Sequence, residues 1–80
     1  MMEEEWIATH QHYKGGVYKF LFSALREADL VPMAVYEPED GPIFTRPLAE
    51  FIAKFTALPG QADFAAIAAA VQLPPEEASE

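Results

Sequence analysis

The spacing of apolar residues changes period at Pro47, and this constrains the fold more than any other feature of the chain. Before Pro47, aromatic and branched residues come in short runs separated by turn residues, which is how strands read. After it, Leu48, Phe51, Ile52 and Phe55 fall at i, i+3, i+4 and i+7, one stripe of a helix. Strands first and helices second is the order of an α+β fold. Eighty residues suffice for one small domain and no more. The expected layout is an acidic lead over residues 1–5, a compact domain over 6–73 and an acidic tail over 74–80, the domain being β over 6–46 and helical over 47–73.

Within the β part, Val17 to Phe22 reads as a strand with Tyr18, Phe20 and Phe22 on one face. Both faces are mostly apolar, which suits a strand wrapped into a small barrel. Gly15-Gly16 supplies positive φ at no steric cost and predicts a hairpin from a preceding strand of about Ile7 to Tyr13. Leu30 to Tyr36 is a third run; Pro32 inside it places that strand on an edge or moves its start past the proline. Glu37 to Pro42 is a turn by composition, and Ile43 to Thr45 suits a short fourth strand. In the helical part, Pro47 fits the first helical position and Glu50 with Lys54 makes an i,i+4 pair. Pro59-Gly60 ends that segment. A second helix runs from about Gln61 to Val71, with Phe64, Ile67, Ala68 and Val71 as its buried stripe and Asp63 in its first turn. Pro74-Pro75 stops it.

The charge balance narrows the function. Thirteen acidic residues against five basic give a net charge of −8, which argues against nucleic acid as a partner. Most of that acidity lies at the ends: residues 6–57 hold six acidic groups and all five basic ones. A small anionic ligand is therefore compatible with the folded segment. The absence of cysteine excludes a disulfide framework, thiolate metal sites and cysteine nucleophiles. No apolar run approaches the ~18–20 residues that cross a bilayer. The acidic Met1 to Glu5 is unlike a signal peptide, so a cytoplasmic location is expected. Apolar residues make up 51% of the chain, more than so small a domain can fully bury, and a homodimer is one expected outcome.

Four elements occur in order: His12-Tyr13-Lys14-Gly15-Gly16-Val17-Tyr18, then Val35-Tyr36, then Arg46-Pro47-Leu48, then Phe51. Together they resemble the signature of a small bacterial family, domain of unknown function 1653, whose pattern runs HYKG-x-x-Y, an apolar strand, VVY, a turn, RPL and a phenylalanine. The resemblance covers about Thr9 to Phe51. It implies a strongly bent antiparallel sheet similar to an SH3-like barrel, of about four strands, and it brings no activity with it. The chain departs from the pattern at Phe22, at a shorter turn around Glu39-Asp40-Gly41, at Phe44 in a place often held by tryptophan, and at Glu50. An alanine-rich segment also replaces the basic C-terminal strand. These departures imply a less closed barrel with a helix over the opening, and they remove the ground for a basic-surface role.

Candidate chemistry is sparse. His10 and His12 project from one face of a strand, but two imidazoles without a third ligand are read as hydrogen-bonded or solvated rather than metal-binding. Lys14-Gly15-Gly16 lacks the further glycines, the Lys-Ser/Thr ending and the following helix of a phosphate loop. Neither Ser23 nor Ser79 sits in a nucleophile motif. No cofactor, metal or catalytic residue is expected. Arg46 has two readings: a fork to Glu37, Glu39 or Glu50 that ties the turn to the helix, or an anchor for a carboxylate or phosphate. His12, Tyr13, Lys14, Tyr36 and Glu50 are the side chains expected to share a cleft with it. The function expected first is a non-catalytic module binding a protein partner or a small anionic ligand. A small enzyme or metabolite sensor with Arg46 as anchor and His12 as acid/base is the alternative. A domain that only dimerises, through an exposed apolar stripe at residues 64–71, is the third. The readings part on whether His12 and Arg46 share a cleft, and on whether a buried carboxylate consumes Arg46.

Overall fold

The computed structural model describes residues 5–71; the tail at 74–80, its Pro74-Pro75 stop and most of the acidic lead lie outside them. Seven elements follow one another: β1 (His10–His12), β2 (Val17–Leu25), β3 (Pro32–Glu37), β4 (Phe44–Pro47), α1 (Leu48–Lys54), β5 (Phe55–Ala57) and α2 (Phe64–Val71). The architecture is α+β, as the change of period at Pro47 implies. The strands form one antiparallel sheet in the order β4-β3-β2-β1-β5. The sheet has five strands rather than four, and it is open: no ladder joins β4 to β5 among the described residues, so the barrel is not closed.

β2 serves both halves of the sheet. Val17 and Tyr18 pair with β1, whereas Lys19 to Leu25 pair with β3. Between Phe20 and Phe22 the register slips, leaving Leu21 as an extra residue. A bulge reverses the phase of the strand that follows it. Phe20 is therefore buried while Phe22 turns outward at 56% exposure, against the single face expected for both. Ser23, not Phe22, stands opposite the fully buried Ala34.

The β1–β2 hairpin closes through Gly15 N–H to His12 O and His12 N–H to Gly16 O, both 2.8 Å. Gly15 adopts φ +113°, the positive angle for which the Gly-Gly pair was needed. β1 is shorter than the Ile7 to Tyr13 expectation, although Thr9 extends the pairing with bonds to Tyr18 O and from Leu58 N–H, both 2.9 Å. β3 begins at Pro32 and is a central strand; the missing N–H does no harm at a first residue. The turn before it is tied by a two-pronged Arg26–Asp29 ion pair and places Leu30 at φ +60°.

β4 starts one residue later than expected and ends two later: it spans Phe44–Pro47, and Pro47 caps α1 from outside the helix instead of opening it. α1 stops at Lys54 because Phe55 is extended (φ −122°, ψ 146°) and starts β5. Phe55 satisfies the helical stripe and the strand alike, since it is buried in either role, which is why periodicity did not separate them. Glu50 and Lys54 do not pair; Glu50 faces Arg46 instead, and Lys54 lies over the Tyr13 ring.

The core comprises Phe20, Ala34, Tyr36, Leu48, Phe51, Phe55 and Ala65. Phe51, fully buried, stacks on Phe55 with centroids 4.0 Å apart and packs against Tyr36, His10 and Phe20. α2 is shorter than expected and rotated, so that of its expected stripe Ala68 alone packs on the core. Ala65 is buried, with Ala68 and Ala69 packed beside it, while Phe64, Ile67 and Val71 are 40%, 55% and 74% exposed. Small side chains let the helix axis approach the sheet closely, an arrangement a hydrophobicity stripe does not register. Asp63 caps this helix: its Oδ1 accepts Ala66 N–H at 3.2 Å.

The same carboxylate oxygen anchors a buried chain of hydrogen bonds. Phe20 N–H donates to Thr9 Oγ1 at 2.8 Å. Asp63 Oδ1 only accepts, so His10 Nε2–H donates to it at 3.1 Å, and Nδ1 accepts from the Thr9 hydroxyl at 2.9 Å. His10, 1% exposed, is thus satisfied at both nitrogens. It links β1, β2 and the start of α2; no cluster of three metal-binding side chains exists among the described residues.

Candidate functional site

A cleft of about 400 Å³ opens between the two halves of the sheet, lined by His12, Lys14, Gly16, Tyr18, Tyr36, Phe44, Arg46 and Phe55. Its size lies within the usual range for small-molecule sites. Each wall has a local cause. β1 and its hairpin deliver His12, Lys14 and Gly16, β2 delivers Tyr18, β3 and β4 deliver Tyr36, Phe44 and Arg46, and β5 delivers Phe55. Gly16 leaves space for the Tyr18 ring, since a Cβ there would stand 3.2 Å from Tyr18 Cε1.

Four of the six expected residues, His12, Lys14, Tyr36 and Arg46, therefore meet in one cleft. Tyr13 and Glu50 do not line it. Tyr13 is 66% exposed and works from beside the cleft: its ring lies 4.5 Å from that of His12 and carries the ammonium groups of Lys14 and Lys54 at 5.7 and 5.8 Å. Glu50, more than half exposed, approaches Arg46 Nη1 only to 3.9 Å. Four lining residues were absent from the expected set. Tyr18 was legible, as the last residue of HYKG-x-x-Y, and Phe44 as a substituted aromatic position. Phe55 falls in the expected helical stripe, and Gly16 reads only as a turn residue.

Arg46 is held without being consumed. Its Nε–H donates to Tyr36 Oη at 3.1 Å, and the guanidinium lies 5.6 Å from the Phe55 centroid. Glu37, one of the expected partners, instead accepts from Trp6 Nε1 at 3.1 Å. No buried carboxylate pairs with Arg46 among the described residues, and Tyr36 retains its hydroxyl proton for a further acceptor.

His12 is set up as a neutral donor. Lys14 N–H donates to its Nδ1 at 3.0 Å, leaving the proton on Nε2. Partial desolvation first, then the charges of Arg46, Lys14 and Lys54, hold its pKa below the ordinary imidazole value of 6.5. The site as a whole is an aromatic slot with Lys14 and His12 on one side, Arg46 on the other, and no carboxylate in its lining.

Comparison with known families matches residues 8–60 to the family described as Protein of unknown function (DUF1653). That is more than half of the 80 residues. The chain belongs to the DUF1653 family. The match spans all five strands and α1, hence every residue of the cleft, and ends before α2. The comparisons with curated proteins and with solved structures return no match for this DUF1653 chain. Among the described residues no helix is long and apolar enough to cross a membrane.

Proposed function

We propose that this DUF1653 chain is a non-catalytic binding module whose cleft holds a small anionic ligand, with Arg46 and Lys14 engaging the anionic group, His12 donating from Nε2, and Tyr18, Tyr36, Phe44 and Phe55 flanking an apolar portion. The observation that carries this reading is the composition of the cleft: three basic side chains and four aromatic ones converge on it, and no acidic one lines it. Cations left without a buried counter-ion favour an anion from solution, and aromatic walls exclude enough water to strengthen that attraction. A reacting group is harder to find. His12 is the sole lining side chain whose ordinary pKa lies near neutrality, and its position among cations suits it to donation more than to proton abstraction.

A thermal-shift screen with small carboxylates and phosphates tests the reading. A ligand at 100 times its Kd adds about 2.7 kcal/mol, which at this size raises the melting temperature by roughly ten degrees or more. Arg46→Gln abolishes the shift if the reading is right. A flat response to the whole panel at millimolar concentration refutes it.

A second reading rests on the outer face of α2. Phe64, Ile67 and Val71 are exposed together at i, i+3 and i+7, as a helix that pairs with another copy would present them. Sedimentation equilibrium decides it: dimerisation lost in Ile67→Lys supports this reading, and a monomer at high micromolar concentration removes it.

A further inference from the structure

We propose that the cleft selects a phosphate-monoester dianion attached to a flat apolar group, and that His12 becomes protonated as the dianion binds. The proposal rests on the anion-binding reading above and specifies its ligand. It begins with a count of charge. Lys14 from the hairpin, Arg46 from β4 and Lys54 from α1 all act on His12. Among the described residues Glu50 is the one carboxylate within ion-pair distance of any of the three; it reaches Arg46 only at 3.9 Å and is more than half exposed. Three permanent cations against one carboxylate leave a surplus of two, which a monoanion halves and a dianion cancels. Neither Lys14 nor Lys54 has a carboxylate within ion-pair distance among the described residues; both ammonium groups rest on the Tyr13 ring instead.

The donors also suit a group with three oxygens. Nε2–H of His12, the remaining hydroxyl proton of Tyr36, the guanidinium Nη groups of Arg46 and the Lys14 ammonium come from four different positions around the cleft. A carboxylate offers two oxygens in one plane, whereas a phosphate monoester offers three and carries close to two charges above pH ~6.5. Tyr18, Phe44 and Phe55 then flank the organic group.

His12 supplies the readout. In the free protein the titratable and charged groups around it are Lys14 beside it, Tyr13 against its ring, Arg46 across the cleft and Lys54 at the end of α1, with Glu50 acting only through Arg46. All but Glu50 and the neutral Tyr13 oppose its protonation. A dianion among them reverses the sign of the local field, so binding draws a proton onto His12. By linkage, affinity is greatest where His12 charges readily and falls as pH rises through the imidazole pKa of the complex.

The test is calorimetric titration of the full chain with phenyl phosphate, benzoate and inorganic phosphate, each between pH 6.5 and 8.5. Expected are phenyl phosphate binding at least tenfold tighter than benzoate, inorganic phosphate weaker than phenyl phosphate, and a fall of about threefold or more in phenyl phosphate affinity across the range, with net proton uptake from buffer. His12→Gln is expected to bind more weakly and to lose the pH dependence, while keeping the native circular-dichroism spectrum. Benzoate binding as tightly as phenyl phosphate, or an affinity that does not vary with pH, overturns the proposal and leaves anion binding standing. No binding of any of the three removes both.

Discussion

Replacing Asp63 with alanine is the sharpest probe of how the cleft-bearing strand is held. Two interactions end on one oxygen, Asp63 Oδ1: the cap to Ala66 N–H and the bond from His10 Nε2–H. Loss of an aspartate cap costs about 1 kcal/mol. Leaving a buried N–H without a partner costs about 1–3 kcal/mol, and His10 is 1% exposed. The Asp63 side chain is itself 53% exposed, so water can occupy part of the vacated site and the lower half of that range applies. The expected destabilisation is about 2–3 kcal/mol, against a total of ~5–15 kcal/mol for proteins of this kind. Urea denaturation followed by circular dichroism measures it, with an unchanged m-value required. Asp63→Asn, which keeps an acceptor oxygen at the same place, is expected to cost under about 1 kcal/mol. In a His10→Leu background the Asp63→Ala cost should fall to that of the cap alone. An additive double mutant, or an Asp63→Ala cost below about 0.5 kcal/mol, would refute the relay from Thr9 through His10 to Asp63.

Further outcomes follow from other parts of the molecule. Proton NMR titration of His12 should place its pKa below 6.5, and Arg46→Gln should raise it by removing one of the opposing charges. Because the folded value is depressed, the unfolded chain binds more protons near pH 6.5, so the His12 contribution to stability is present above that pH and is lost as pH falls toward the folded pKa. Leu30 sits at φ +60° with its side chain 56% exposed, and Leu30→Asn should stabilise the protein by up to about 1 kcal/mol in the same denaturation assay. On α2, Ala65→Leu should cost about 1–3 kcal/mol by overpacking a side chain that is 1% exposed, whereas Ile67→Lys should change monomer stability by less than about 0.5 kcal/mol.

Much of this molecule was readable from its residues, and the failures share a cause. Strand and helix segments follow local spacing, so the hairpin at Gly15, the strand from Val17 and the helix from Leu48 were legible. What spacing cannot report is an interruption of its own phase. The extra residue at Leu21 rotates Phe22 out of the core, and the switch to extended backbone at Phe55 hides a strand inside an apparently helical stripe. α2 is misread for a different reason: the face that packs is made of alanines, whose contribution is close approach rather than apolar area. Within the cleft, polar members with a distinctive spacing, such as His12, Lys14, Tyr36 and Arg46, could be nominated in advance. Phe55 could not, because its contribution depends on a strand pairing with β1 across more than forty residues of chain.

The division of β2 between two ladders has a mechanical consequence. Its first two paired residues belong with β1 and β5, and the remainder with β3 and β4. The cleft spans this junction, taking His12 and Phe55 from one side and Tyr36, Phe44 and Arg46 from the other. In an unclosed sheet the outer strands can flex about the shared one like the jaws of a spring clip. A ligand seated between them would act as a clasp, and the slowing of amide exchange it caused would extend to β4 and β5, the two strands that lie farthest apart in the sheet order.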